Sequence, residues 1–195
     1  MSAGFKYYLV PPVEQEERYD VQTGIRRRGP FKLDTQNLVV GSFLPGFTPI
    51  YADLKNKFAY AVINVKVVEE YTSGTSIKIA KNSLAYVGMF VGSGKKGAEV
   101  TAIDKSNANY DVLTIKAGFG ESIAKDAVLF QTTAVDGLKQ KYVSNSALYE
   151  RTKVEDGIVL VALLRTATEI EPSKLVMPFS ENDKANLKGW FEFNE

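Results

Sequence analysis

Cysteine and histidine are both absent from the 195-residue chain. Without cysteine there is no disulfide, no thiolate metal site and no thiol nucleophile. Without histidine the chain lacks the commonest metal ligand and the one side chain that titrates near neutrality when unperturbed. Serine–histidine and cysteine–histidine catalysis are therefore excluded. Carboxylates and lysines remain, so the composition argues against an enzyme without forbidding one, and the expectation is no catalysis, no cofactor and no metal. Long apolar runs are missing too. The longest, IVLVALL at 158–164, is far short of the roughly 20 residues of a membrane helix. The opening MSAGFKYYLVPPVEQEE lacks the basic, apolar and small-residue order of a signal peptide. Nor does either charge dominate: 24 basic against 23 acidic residues leave a net charge of +1. The chain is expected to be soluble and made in the cytoplasm, with neither a membrane nor nucleic acid as partner.

What is present reads as β-structure. Hydrophobic residues make up 45% of the chain and charged residues 24%, which suits one domain, or one domain with an arm. Residues 98–132 organise the rest. Val100, Ala102 and Ile103, then Val112, Leu113 and Ile115, then Val128, Leu129 and Phe130 form apolar runs separated by polar turns. Residues 59–71, AYAVINVKVVEEY, alternate as one strand with one buried face. The apolar run at 158–164 predicts the most buried strand of all. One helix is expected, over about 181–188, capped by Ser180 with Asp183 three positions on and stopped by Gly189. The fold expected is mainly β: a compact antiparallel β-sandwich or barrel over 43–195, with an extended N-terminal arm over 1–42 and one short C-terminal helix.

Three motifs invite chemistry. GSGKKG at 92–97 spells a dinucleotide fingerprint, but a strand-like segment follows it where the fingerprint needs a helix. A hairpin connection is the better account. Asp104, Asn107, Asn109 and Asp111 could supply oxygens to calcium, yet their spacing is not that of an EF-hand, and Asx turns explain them. Glu69 with Glu70, and Glu169 with Glu171, are the carboxylate pairs a hydrolase could use; they are read as solvated edges.

The arm carries the contact residues. Phe5, Tyr7 and Tyr8 stand among prolines and acidic residues, followed by the basic run Arg26, Arg27, Arg28 and by Phe31. Aromatics in such a polar segment suit pockets on a partner, and the arginines suit an acidic patch. Trp190 and Phe191, at the other end, either fold onto the body or anchor another subunit. A competing possibility is a sugar-binding β-domain. The chain has ten tyrosines, but Tyr51, Tyr60, Tyr71, Tyr86, Tyr110, Tyr142 and Tyr149 fall on different elements, so the sequence leaves this open.

Several segments, in order, resemble the head fiber and capsid decoration proteins of tailed bacteriophages, including those of Bacteroides and crAss-like phages. LPGFTPIYAD at 44–53 resembles the family's opening turn and strand. AYAVINVKVVEE at 59–70 and TSIKIAK at 75–81 resemble the strands that follow. TAIDKSNANYDVLTI at 101–115 is the most specific likeness. Lys141-Tyr142, NSAL at 145–148 and KVEDG at 153–157 continue in family order. The likeness runs from Leu44 to about Leu187, leaving the arm before Leu38 and the aromatic tail after Gly189 outside it. It implies a virion structural protein on the capsid surface, homotrimeric, with the major capsid protein and other head fiber proteins as partners.

Overall fold

A computed structural model describes residues 18–194. Sixteen strands follow one another among these residues. They are β1 (Ile25–Arg26), β2 (Phe31–Leu33), β3 (Phe43–Leu44), β4 (Pro49–Asp53), β5 (Phe58–Ala61), β6 (Asn64–Lys66), β7 (Ser76–Ile79) and β8 (Phe90–Gly92). Then come β9 (Gly97–Asp104), β10 (Asp111–Ile115), β11 (Val128–Thr132), β12 (Ser146–Leu148), β13 (Thr152–Lys153), β14 (Leu160–Val161), β15 (Leu163–Ile170) and β16 (Phe191–Phe193). One α-helix, α1 (Glu181–Leu187), precedes the last strand. The protein is mainly β, as its sequence leads one to expect.

The first sheet runs β1-β15-β12-β4-β5-β2-β14. Only Ala162 separates β14 from β15, so the order returns to the extended segment it left. The segment holding β1 and β2 lies antiparallel along that same stretch, with Arg26 opposite Leu164 and Phe31 opposite Val161. A parallel pairing of β2 with β5 completes the circuit. The sheet is thus a closed barrel, which removes the exposed edges that invite aggregation. Phe31, Leu33, Ile50, Ala59, Val161 and Leu163 fill it.

Two expectations fail here. The run at 158–164 is not buried on both faces. Ile158 and Leu160 are 73% and 60% exposed, while Val159, Val161 and Leu163 point inward. A barrel wall has one interior face, and a run without polar residues does not reveal which positions take it. The described part of the arm, residues 18–42, is not free either. β1 and β2 are barrel wall, and Phe31 and Leu33 are core. The basic run at 26–28 masked the short in–out–in pattern of Phe31, Lys32 and Leu33.

The second sheet runs β6-β11-β8-β9-β10-β7. It closes as well: beyond β6, Val67 bridges Ile79 of β7, and the Val68 amide donates to the Lys78 carbonyl at 3.1 Å. Val65, Ile77, Val91, Val100, Leu113 and Leu129 occupy the interior. β9 and β10 form the expected hairpin, and β11 joins the same barrel between β6 and β8. The single strand expected over 59–71 instead divides at Val62 and Ile63, with β5 in the first barrel and β6 in the second. Both dividing residues are buried. The alternation survives the crossing, which is why it reads as one strand.

A third apolar layer covers part of the first barrel's outer wall. Ala147, Leu164, Ala167 and Ile170 face outward, and Phe47, Phe179, Leu187 and Phe191 close over them. Each large side chain buried there contributes about 2 kcal/mol. The helix in this layer follows its local code. Ser180 and Asp183 form a capping box, and Gly189 turns the chain at φ +87° into β16, which pairs parallel with β15.

Candidate interaction surfaces

Phe5, Tyr7 and Tyr8 lie outside the described residues. Of the other expected contact residues, Phe31 and Phe191 are buried. They hold the fold and are corrected from partner contacts to core. Arg26 is exposed, its guanidinium 5.0 Å from the centre of the Tyr149 ring. Arg27 is half-buried: Nε donates to Ser146 Oγ at 2.6 Å and a terminal nitrogen to the Asn145 carbonyl at 2.7 Å. Burial, and secondarily Arg165, lower its pKa. Arg28 is exposed on the turn between β1 and β2. Trp190 is 50% exposed, with the Arg165 guanidinium 4.5 Å from its ring. The outward-facing members of the set are therefore Arg26, Arg28 and Trp190.

A second surface is made of residues the sequence leaves scattered. The β4–β5 hairpin places Tyr51 opposite Tyr60. Phe58, two residues before Tyr60, shares its face. Tyr142, from the connection between β11 and β12, lies against both tyrosines. Its ring centre is 4.8 Å from that of Tyr60 and 5.4 Å from that of Tyr51, with planes 21° and 17° apart. These values belong to offset stacking. Lys32 Nζ stands 5.5 Å over Phe58, and Lys141 Nζ 5.5 Å over Tyr142. Beside the stack is a recess of about 30 Å³ lined by Asp34, Asn37, Tyr60, Gln131, Lys141 and Tyr142 among others. Burial raises the Tyr142 phenol's pKa, and Tyr60, Asp34, Tyr51 and Tyr86 add to the rise. The hairpin half of this surface had a sequence signal, because a short polar turn after Asp53 sets the register. Tyr142 had none.

The three motifs resolve locally. GSGKKG is the β8–β9 hairpin connection. Its terminal glycines serve packing: a Cβ on Gly92 or Gly97 would come within 2.6 Å or 2.5 Å of Gly137 Cα. Asx turns occur at Asp104 and Asn107, whose side chains accept from the Ser106 and Asn109 amides. The Lys81 ammonium fills the centre of that turn, donating to the Lys105 and Asn107 carbonyls and, at 2.5 Å, to the buried Asp111 carboxylate. Glu69 is exposed and pairs with Lys78 at 2.7 Å.

A buried carboxylate that sequence reasoning treated only as a cap does more. Asp183 accepts from the Ser144 and Ser180 amides at 2.7 and 2.9 Å, from Asn64 Nδ2 at 2.7 Å and from Gln140 Nε2 at 3.2 Å. Asn64 belongs to β6 of the second barrel, whereas Leu187 of the same helix packs on the first. The helix start thereby clips one barrel to the other.

The described residues thus form two closed barrels that carry an aromatic stack and exposed cations on their surface. Among the described residues, no cluster of three or more aspartates and glutamates could hold a metal ion, and no helix is long and apolar enough to cross a membrane. The family model of phage head fiber proteins matches residues 1–192, and the chain belongs to that family. No curated protein and no solved structure matches it. The family match includes the N-terminal segment and, in the aromatic tail, Trp190 and Phe191, all outside the likeness read from the motifs. Membership makes the protein a structural component of a phage virion.

Proposed function

We propose that the protein stands on the outer surface of the capsid, bound to the major capsid protein, as a head fiber or decoration subunit that stabilises or decorates the shell. The observation that carries this is the family match over residues 1–192. In this reading the attachment runs through the N-terminal segment, with Phe5, Tyr7 and Tyr8 as anchors and Arg26 and Arg28 meeting acidic residues of the shell. The body presents its barrels outward as a homotrimer, and its role is structural, not catalytic.

The test adds purified protein to capsids lacking it and measures occupancy by cryo-electron microscopy. The full chain is expected to decorate the shell, and a chain without residues 1–17 to lose most of its occupancy. Full occupancy by the shortened chain overturns attachment through this segment. Absence of binding by the full chain overturns the capsid assignment itself. Light scattering on the free protein tests the trimer, and a monomeric mass rejects it.

A further inference from the structure

The outer wall of the first barrel is covered by helix and tail over β12 and β15, but over β4 and β5 it carries Tyr51, Phe58, Tyr60 and Tyr142, all at least partly exposed. Stacked rings with water access suit ligands that have both an apolar face and polar edges. The groups around them narrow the choice. The recess is lined by the polar residues Asp34, Asn37, Gln131, Lys141, Tyr60 and Tyr142 and by the apolar Leu38, Ala61 and Ile63. Donors and acceptors are therefore mixed, as a ligand rich in hydroxyls requires, since each hydroxyl both gives and accepts. Its formal charges, Asp34 and Lys141, are one of each sign, which favours a neutral ligand over an ionic one. A recess of about 30 Å³ has room for about two water-sized groups, such as a hydroxymethyl. Gln131 Nε2 already donates to Tyr86 Oη at 2.7 Å, which holds this lining side chain in place.

We propose that the face formed by Tyr51, Tyr60 and Tyr142, with the adjoining recess, binds a neutral oligosaccharide. One pyranose C–H face lies on the exposed ring of Tyr51 or Tyr142, and a hydroxyl or hydroxymethyl group enters between Asp34, Asn37 and Lys141. The inference does not depend on how the protein is attached to a capsid. A sugar site on a surface-displayed domain would let the particle dwell on polysaccharide through many weak contacts at once.

The test titrates the full-length protein with neutral hexasaccharides of glucose, mannose and N-acetylglucosamine, and with oligogalacturonate as the acidic comparison, using isothermal calorimetry and NMR. At least one neutral chain is expected to bind, with Tyr51→Ala and Tyr142→Ala weakening it ten-fold or more. Tyr110→Ala, on the second barrel, should leave it unchanged. Tyr142→Phe and Asp34→Asn keep the ring stack and should each weaken binding several-fold, so a fold defect in the alanine variants does not obscure the result. No binding of any neutral chain at millimolar concentration overturns the proposal, as does a preference for oligogalacturonate or binding that survives the tyrosine substitutions. Should the tyrosine variants instead lose self-association or capsid attachment with no sugar bound, the face is a protein interface and the proposal falls.

Discussion

Asp183 ties together three parts of the fold through its carboxylate. It is fully buried and takes hydrogen bonds from a neighbouring loop, from its own helix cap and from the second barrel. Replacing it by alanine leaves those donors without partners, at about 1–3 kcal/mol each, and removes one arm of the capping box. The expected loss for Asp183→Ala is on the order of 3 kcal/mol or more. For a chain of this size that corresponds to a fall in melting temperature of roughly 6–12 °C, measurable by circular dichroism. A change within a degree or two would show that the network carries little energy. Tyrosine supplies the pH dependence. Burial raises the phenol pKa of Tyr19 and of Tyr142 above the ordinary value of 10.0, Tyr149 reinforcing the first, and Tyr60, Asp34, Tyr51 and Tyr86 the second. Once pH exceeds the unfolded value, the unfolded chain has released a proton that the folded chain retains. The stabilisation is thus whole below about pH 10 and declines as pH rises through the folded values. Urea melts at stepped alkaline pH should show that decline, and Tyr19→Phe with Tyr142→Phe should flatten it. An equally steep decline in the double variant would refute the assignment.

At the scale of elements, what is local was legible and what is long-range was not. Helix α1 follows from Ser180, Asp183 and Gly189, residues within ten positions of one another, and the β9–β10 hairpin from the polar turn between them. The two barrel closures depend on pairings such as Ile25 with Thr166 and Val67 with Ile79, which no local pattern announces. The candidate site divides the same way. Tyr51 and Tyr60 face each other through one hairpin, but Tyr142 joins them from a distant connection. The three glycines at the β8–β9 hairpin illustrate an element held by what it lacks. Gly137 sits at φ +73°, and a Cβ there would lie 2.0 Å from the Lys96 carbonyl oxygen. Gly120 has a similar φ of +69° but open space around it. Gly120→Ala should therefore cost only the left-handed backbone penalty, about 1–2 kcal/mol. Gly137→Ala must also push the connection off the hairpin and should cost at least about 3 kcal/mol. Equal melting temperatures for the two variants would show that the close approach is not maintained in solution.

For the whole molecule, the entry of the chain decides where it can be cut. Residues 18–42 follow a stretch rich in proline and charge, and an arm reaching residue 42 would invite removal of everything before Leu38. The barrel forbids this. β2 pairs with β5 on one side and β14 on the other, and it places Phe31 and Leu33 in the interior. Truncating a buried phenylalanine or leucine costs about 3–5 or 2–5 kcal/mol. Removing both together with their ladders therefore approaches the whole stability of a typical domain, about 5–15 kcal/mol. A chain beginning at residue 18 retains every described strand; one beginning at residue 38 opens the first barrel and exposes the edges of β5 and β14. The first is expected to melt cooperatively near the full-length temperature, and the second to aggregate or to lack a cooperative transition. Because of this difference, a capsid-binding assay on the longer truncation would report misfolding rather than attachment. A folded, cooperative 38–195 fragment would show that β1 and β2 are dispensable, and the N-terminal segment would then be an arm up to residue 37 after all.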